Sequence, residues 1–245
     1  MILVSTILCA SVLSAVDGVS ADGLLPRPQS MTRSEGSFAV PRAFEGLLQA
    51  PAGRDIQRLR ARLAEALEGL GLDGRVEQAP PSSRDYLLTV GEPGRRERGT
   101  DSLPAEGYLL DVTPSGLRIL APEEHGLFYG MMTLAQLIEN GSGTLPCVHI
   151  RDWPAIALRG PHEDFGRNQL PTMDDLKRSI RTAARYKMNT YCWFIEPDHF
   201  VYDFDPEISV DYDRFSFDEI RELVTYAREY YVDTVSYTHL TLPTN

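Results

Sequence analysis

The chain has 245 residues, 42% of them apolar and 24% charged, which is room for one large domain or two modest ones around a real hydrophobic core. Its formal net charge of −11 repels phosphate backbones and anionic lipid, and so argues against nucleic-acid and membrane-surface partners. Of the three cysteines, Cys9 falls in a segment expected to be removed. Cys147 and Cys192 lack the C-x-x-C spacing of a metal knuckle or redox pair and read as buried free thiols, with a mutual disulfide as the alternative.

Ile2 to Val16 is an uncharged apolar run, short for a membrane span, and Val19-Ser20-Ala21 offers a small-x-small cleavage site. Residues 1–21 therefore read as a secretory signal, although the positive n-region is missing. This predicts a secreted or periplasmic protein with no membrane span after signal removal. A buried N-terminal helix or strand is the other reading of the same run.

Residues 24–150 predict a mixed α+β unit. Ser37–Val40 reads as a short strand after a glycine turn. Ile56, Leu59, Leu63, Leu67 and Leu70 share one helical face, and Gly69 and Gly71 stand where that helix should end. Tyr86–Val90, Gly107–Val112 and Leu117–Leu120 read as strands, the last two joined by the turn sequence Thr113-Pro114-Ser115-Gly116. A helix with the stripe Leu127, Met131, Leu134 and Leu137 follows from about Glu123 to Ile138. Asn140-Gly141-Ser142, formally a glycosylation sequon, reads as its terminating loop, before an extended Leu145–Ile150.

From about Arg151 the rhythm changes. Ala155–Arg159 reads as a strand. Thr172 is a candidate N-cap for a helix running to about Lys187, with Asp174 and Asp175 in its first turn. Thr190–Ile195 reads as a strand, with Trp193 as core. Ser216 caps a second helix bearing Ile220, Leu223, Val224 and Ala227, and Tyr231–Val235 begins a third strand. This alternation is the pattern of parallel βα units, and periodicity leaves barrel and open sheet equally open.

Several strings point to a family. Leu24-Leu25-Pro26-Arg27-Pro28-Gln29, then Gly36-Ser37-Phe38, the stretch from Glu106 to Ile138, Asp152-Trp153-Pro154 and Arg159-Gly160 together resemble, in order and spacing, the family-20 glycoside hydrolases of the β-N-acetylhexosaminidase type. The resemblance covers about residues 24–235. It implies an α+β accessory domain over 24–150, followed over 151–235 by the first βα units of an incomplete (β/α)8 TIM barrel. It also implies removal of a terminal β-linked N-acetylhexosamine from a glycan, with the substrate's own acetamido oxygen attacking the anomeric carbon. A neighbouring acid would polarise that acetamide, and a Glu would protonate the leaving oxygen and then activate water.

The resemblance places Asp164 and Arg167 in an Asp-x-x-Arg element after the Arg-Gly string. The planar fork of Arg167 suits two adjacent ring hydroxyls, and a structural salt bridge to Asp164 or Glu163 is the alternative. Where typical members read His-x-His-x-x-Asp, this chain reads Tyr191-Cys192-Trp193-Phe194-Ile195-Glu196. Both histidines are absent, and Glu196 stands in the acid's place, as a substrate-site residue or an ordinary loop carboxylate. His199 and Phe200 follow on the same loop, and His162 precedes Asp164. No catalytic acid is expected within these residues, and the sequence shows no metal cluster, phosphate loop or G-x-S-x-G elbow that calls for a cofactor.

Val235 to Thr244 matches ten codons of a translated transposon sequencing adapter, so residues 236–245 are expected to be an artefactual tail and the natural frame to continue past about Thr234. A partial barrel would leave strand edges unpaired and would be poorly stable. An O-GlcNAcase-like barrel glycosidase and a non-catalytic carbohydrate-binding protein are the competing readings.

Overall fold

The computed structural model describes residues 23–80, 86–92, 100, 102–164, 171–194 and 215–237. The first part is a seven-stranded sheet covered on one face by two helices. In chain order it runs β1 (Ser30–Ala39), β2 (Ala43–Gln49), α1 (Gln57–Gly69), β3 (Asp73–Gln78), β4 (Tyr86–Gly91), β5 (Tyr108–Thr113), β6 (Gly116–Ala121), α2 (Glu124–Asn140) and β7 (Thr144–Asp152). The spatial order is β1-β7-β5-β6-β4-β2-β3, with every neighbour antiparallel except β2 and β3. That parallel pair needs a crossover, which α1 provides.

β2 and β3 are absent from the expected elements. In β2, Phe44, Gly46 and Leu48 are buried in alternation, but Gly46 and Glu45 hide the period. β3 carries one buried apolar residue, Val76, and owes its strand state to pairing with β2. α1 and α2 bury the expected stripes, including Leu59, Leu63 and Leu67, then Leu127, Met131, Leu134 and Leu137. Gly71, at φ +71°, takes the left-handed position just past α1.

The second part is a parallel three-stranded sheet: β8 (His162–Asp164), α3 (Met173–Arg185), β9 (Thr190–Phe194), α4 (Phe217–Glu229) and β10 (Asp233–Tyr237), in the order β10-β9-β8. Both helices open with a capping box. Thr172 Oγ1 accepts from Asp175 N and Ser216 Oγ accepts from Glu219 N, each at 3.2 Å, while the acid reaches back to the cap. The strand expected over Ala155–Arg159 is not formed. Those residues bend, because their carbonyls are taken by side chains: Arg159 Nη1 donates to Ile156 O and Ala157 O, and Asn189 Nδ2 donates to Ala157 O at 2.7 Å. The apolar residues that suggested a strand, Ile156 and Leu158, are 67% and 71% exposed.

α3 and α4 end alike. Lys187 (φ +61°) and Tyr231 (φ +60°) take the left-handed conformation without being glycine, and the following amides close back on the helix, Met188 N to Ala183 O and Val232 N to Ala227 O. That conformation costs about 1–2 kcal/mol for a residue with a Cβ. Both side chains are buried against the seven-stranded unit. Tyr231 stacks at 4.6 Å on Phe128 of α2, lies under the guanidinium of Arg58 and donates to Glu124. One apolar cluster runs through both parts.

Burial pushes the phenols of Tyr108, Tyr129, Tyr191, Tyr230 and Tyr231 above their ordinary 10.0. In all five the next cause is a neighbouring carboxylate: Asp152, Glu106, Glu163, Glu65 and Glu124 in turn. A folded-state value raised above the unfolded one means that the native chain holds protons the unfolded chain releases. This stabilisation is complete below pH 10 and is lost as pH climbs beyond it. Alkaline titration is therefore expected to release these phenols together with unfolding, out of eleven tyrosines in all. Smooth phenolate absorbance near the ordinary value, with no transition in circular dichroism, would contradict it.

Candidate functional site

The parallel strands end in register. His162 pairs with Cys192 and Cys192 with Val235, while Asp164 pairs with Phe194 at the carboxyl edge. Side chains alternate along a strand, so Tyr191 and Trp193 share one face and Cys192 the other. Tyr191 and Trp193 are buried with Leu176 and Ile180 of α3 and Leu223 and Ala227 of α4, their rings edge-on at 5.4 Å. They form the helix-side core, as expected of Trp193. The opposite face carries His162, Asp164 and Cys192, of which His162 and Asp164 are exposed.

Asp164 thus lies at the carboxyl end of β8. Arg167 and Glu196, with His199 and Phe200, lie outside the described residues. Cys147 and Cys192 are both free, Cys147 buried as expected but Cys192 only half-buried. Among the described residues no group of histidine, cysteine or acidic side chains is placed to hold a metal ion, and no helix is long and apolar enough to cross a membrane.

A second polar cluster, not foreseen as a site, joins the two parts. Lys187 Nζ donates to Asp152 Oδ2 at 2.8 Å and to Tyr108 Oη at 2.9 Å, and Tyr108 Oη also bonds Thr133 Oγ1 at 2.6 Å. Lys187 is 5% exposed and Asp152 6%. Burial lowers the Lys187 ammonium from its ordinary value, and Asp152 works against that fall. Beside it, Arg159 Nη1 meets Glu106 Oε2 at 2.9 Å, and Arg159 Nε donates to Lys187 O at 2.7 Å. Gly160 lets this corner close: a Cβ there would stand 2.6 Å from the carbonyl carbon of Thr190, and nearer still to its oxygen.

A family model described as glycosyl hydrolase family 20, domain 2, matches residues 21–153. The chain belongs to glycosyl hydrolase family 20. Within that family, a β-hexosaminidase of Porphyromonas gingivalis is 30% identical over 187 residues, covering 71% of this chain and 22% of that protein. A β-hexosaminidase of Vibrio vulnificus is 31% identical over 183 residues, covering 74% and 19%. The chain thus spans about a fifth of the length of these curated relatives. In fold, it is similar to the N-acetyl-β-hexosaminidase of Streptomyces plicatus solved with thio-NAglucal, with a TM-score of 0.67 at 23% identity over 90% of this chain and 46% of that one.

The family match ends at residue 153, so the buried cluster straddles its boundary. Tyr108, Thr133 and Asp152 come from the matched family-20 domain, and Arg159 and Lys187 from the parallel unit. The strings Asp152-Trp153-Pro154 and Arg159-Gly160 were visible in the sequence. Their partners Lys187 and Glu106 carried no signal, because a lysine at a helix end reads as solvated until its pairing is seen.

Proposed function

We propose that this family-20 chain is the amino-terminal part of a glycosidase that removes terminal β-linked N-acetylhexosamine from glycans by substrate-assisted, retaining hydrolysis. The seven-stranded unit is its accessory domain, and the parallel unit is the first βα units of a (β/α)8 barrel. The observation that carries this reading is the common carboxyl edge at which Asp164 and Phe194 end in register. Barrel enzymes build their sites from the loops that leave that edge. Arg167 follows Asp164 by three residues and Glu196 follows Phe194 by two, so in sequence both belong to the connections that leave it.

In this reading Arg167 grips two ring hydroxyls, Asp164 supports that grip, and Glu196 orients a group supplied by a later strand. The acid pair that performs the chemistry lies beyond these residues, the substrate is a carbohydrate, no cofactor takes part, and the protein is secreted or periplasmic. The test uses two proteins. The product of the native reading frame continued past Thr234 is expected to hydrolyse an aryl N-acetyl-β-glucosaminide, and the 245-residue chain to give no turnover above background. Arg167→Lys in the longer protein is expected to lower kcat/KM about a hundredfold, the loss of a bidentate charge-assisted contact. Glycan binding without turnover by the longer protein would instead make it a carbohydrate-binding protein.

A further inference from the structure

Where the two units meet, the seam opens into a cavity of about 270 Å³. Much of its wall is apolar, built from Pro26, Trp153, Pro154, Ala155 and Ile156. Its polar groups are matched in charge: Glu106 is held by Arg159 and Asp152 by Lys187. The exposed side chains of Arg27 and Gln29 also line it, and Gln29 Nε2 donates to Trp153 O at 3.2 Å. A concave, mainly apolar wall with a few convergent polar groups is the ordinary form of a small-molecule site.

The composition of the wall selects the kind of molecule. Both acids on the wall, Asp152 buried and Glu106 partly buried, already have a cation, so no unpaired acid is left there to call for a cationic ligand. An indole and two prolines beside hydrogen-bonding side chains suit a compact ring with an apolar face and a polar edge. A pyranose has that form, and the volume has room for about one such ring. Ile156, 67% exposed, and the exposed Ala155 stand on the wall where a ring would cover them.

We propose that this seam cavity is a binding site for a single hexopyranose ring, stacked against Trp153 with its polar edge toward Gln29, Arg27 and Glu106. The choice of N-acetylglucosamine as probe rests on the glycosidase reading, whereas the site itself does not. It would hold a glycan residue at the junction of the accessory domain and the parallel unit.

The chain has two tryptophans, and Trp193 is 1% exposed while Trp153 is half-buried at the cavity. Titrating the full 245-residue chain with N-acetylglucosamine is expected to give a saturable change in tryptophan fluorescence in the millimolar range. Broadening of the sugar's acetyl proton signal provides a readout that does not depend on tryptophan. Ala155→Phe, at an exposed turn position, fills the cavity and should weaken binding at least about tenfold, equivalent to losing one good contact. Its circular dichroism should match that of the unsubstituted chain. Trp153→Phe should abolish the fluorescence change and keep part of the broadening. No saturable response in either readout, or unchanged binding in Ala155→Phe, overturns the proposal. Loss of binding in Arg167→Ala with Ala155→Phe unaffected also overturns it, and would strengthen the strand-edge reading instead.

Discussion

Gly160→Ala is expected to destabilise the parallel unit by at least about 3 kcal/mol, at the upper end of what overpacking costs. Arg159 O accepts from both Asn189 N and Thr190 N, at 3.0 and 3.1 Å, and Pro161 O accepts from Cys192 N at 3.0 Å. Between these anchors the chain carries no side chain, and the Thr190 carbonyl fills the space a Cβ would need. The obstacle is backbone on both sides, so no rotamer change relieves it. Either the Arg159 bonds lengthen or the entry into β8 moves away from β9. The first outcome loosens the clamp on Lys187, and the second unpairs His162 from Cys192. Urea unfolding followed by tryptophan fluorescence in a Trp153→Phe background reads this directly, because Trp193 is sealed in the affected core. An unfolding free energy within about 0.5 kcal/mol of the parent, the range of neutral surface substitutions, would show that the corner does not close as described.

The fold was legible where a side-chain pattern alone decides local structure. The stripes of α1 and α2, the caps Thr172 and Ser216 and the turn at Pro114-Ser115 each act over a few residues, and each appears where the sequence puts it. The errors fall where a distant partner decides. β3 exists because β2 lies beside it. Residues 155–159 are apolar enough for a strand, yet Asn189, 32 residues beyond Ala157, takes a carbonyl that a strand would have used. The left-handed Lys187 is the same kind of case: the helix pattern runs to it, but the chain turns there so that its ammonium can reach Asp152. At the candidate site the sequence placed Asp164 at a strand end and Trp193 in the core. The seam cavity has no sequence signature because its wall draws on segments more than a hundred residues apart.

Removing the buried ion pair is the other large effect, and its two halves should behave differently. Lys187→Met leaves Asp152 with Tyr108 Oη at 2.8 Å and Gln29 N at 3.1 Å as donors. Asp152→Asn leaves an ammonium at a position 5% exposed without its counter-charge, with a neutral amide and the Tyr108 phenol beside it. Breaking a buried pair by removing one partner costs about 3–5 kcal/mol, and Asp152→Asn should lie at the upper end. Its pH dependence separates it from any simple packing defect. Burial already lowers Lys187 below its ordinary 10.5, and Asp152 is the main group opposing that fall. Without Asp152 the folded-state value drops further, so between it and 10.5 the unfolded chain binds a proton that the folded chain does not. Stability then rises with pH across that window. Asp152→Asn should regain stability from neutral pH toward about pH 9–10, below the onset of tyrosine ionisation, while Lys187→Met, with no ammonium to neutralise, should not. Denaturant midpoints at three pH values for each variant decide the matter. Parallel curves for the two variants would mean that Lys187 is uncharged in the folded chain from the start, and that the seam is held by packing and hydrogen bonds instead of an ion pair.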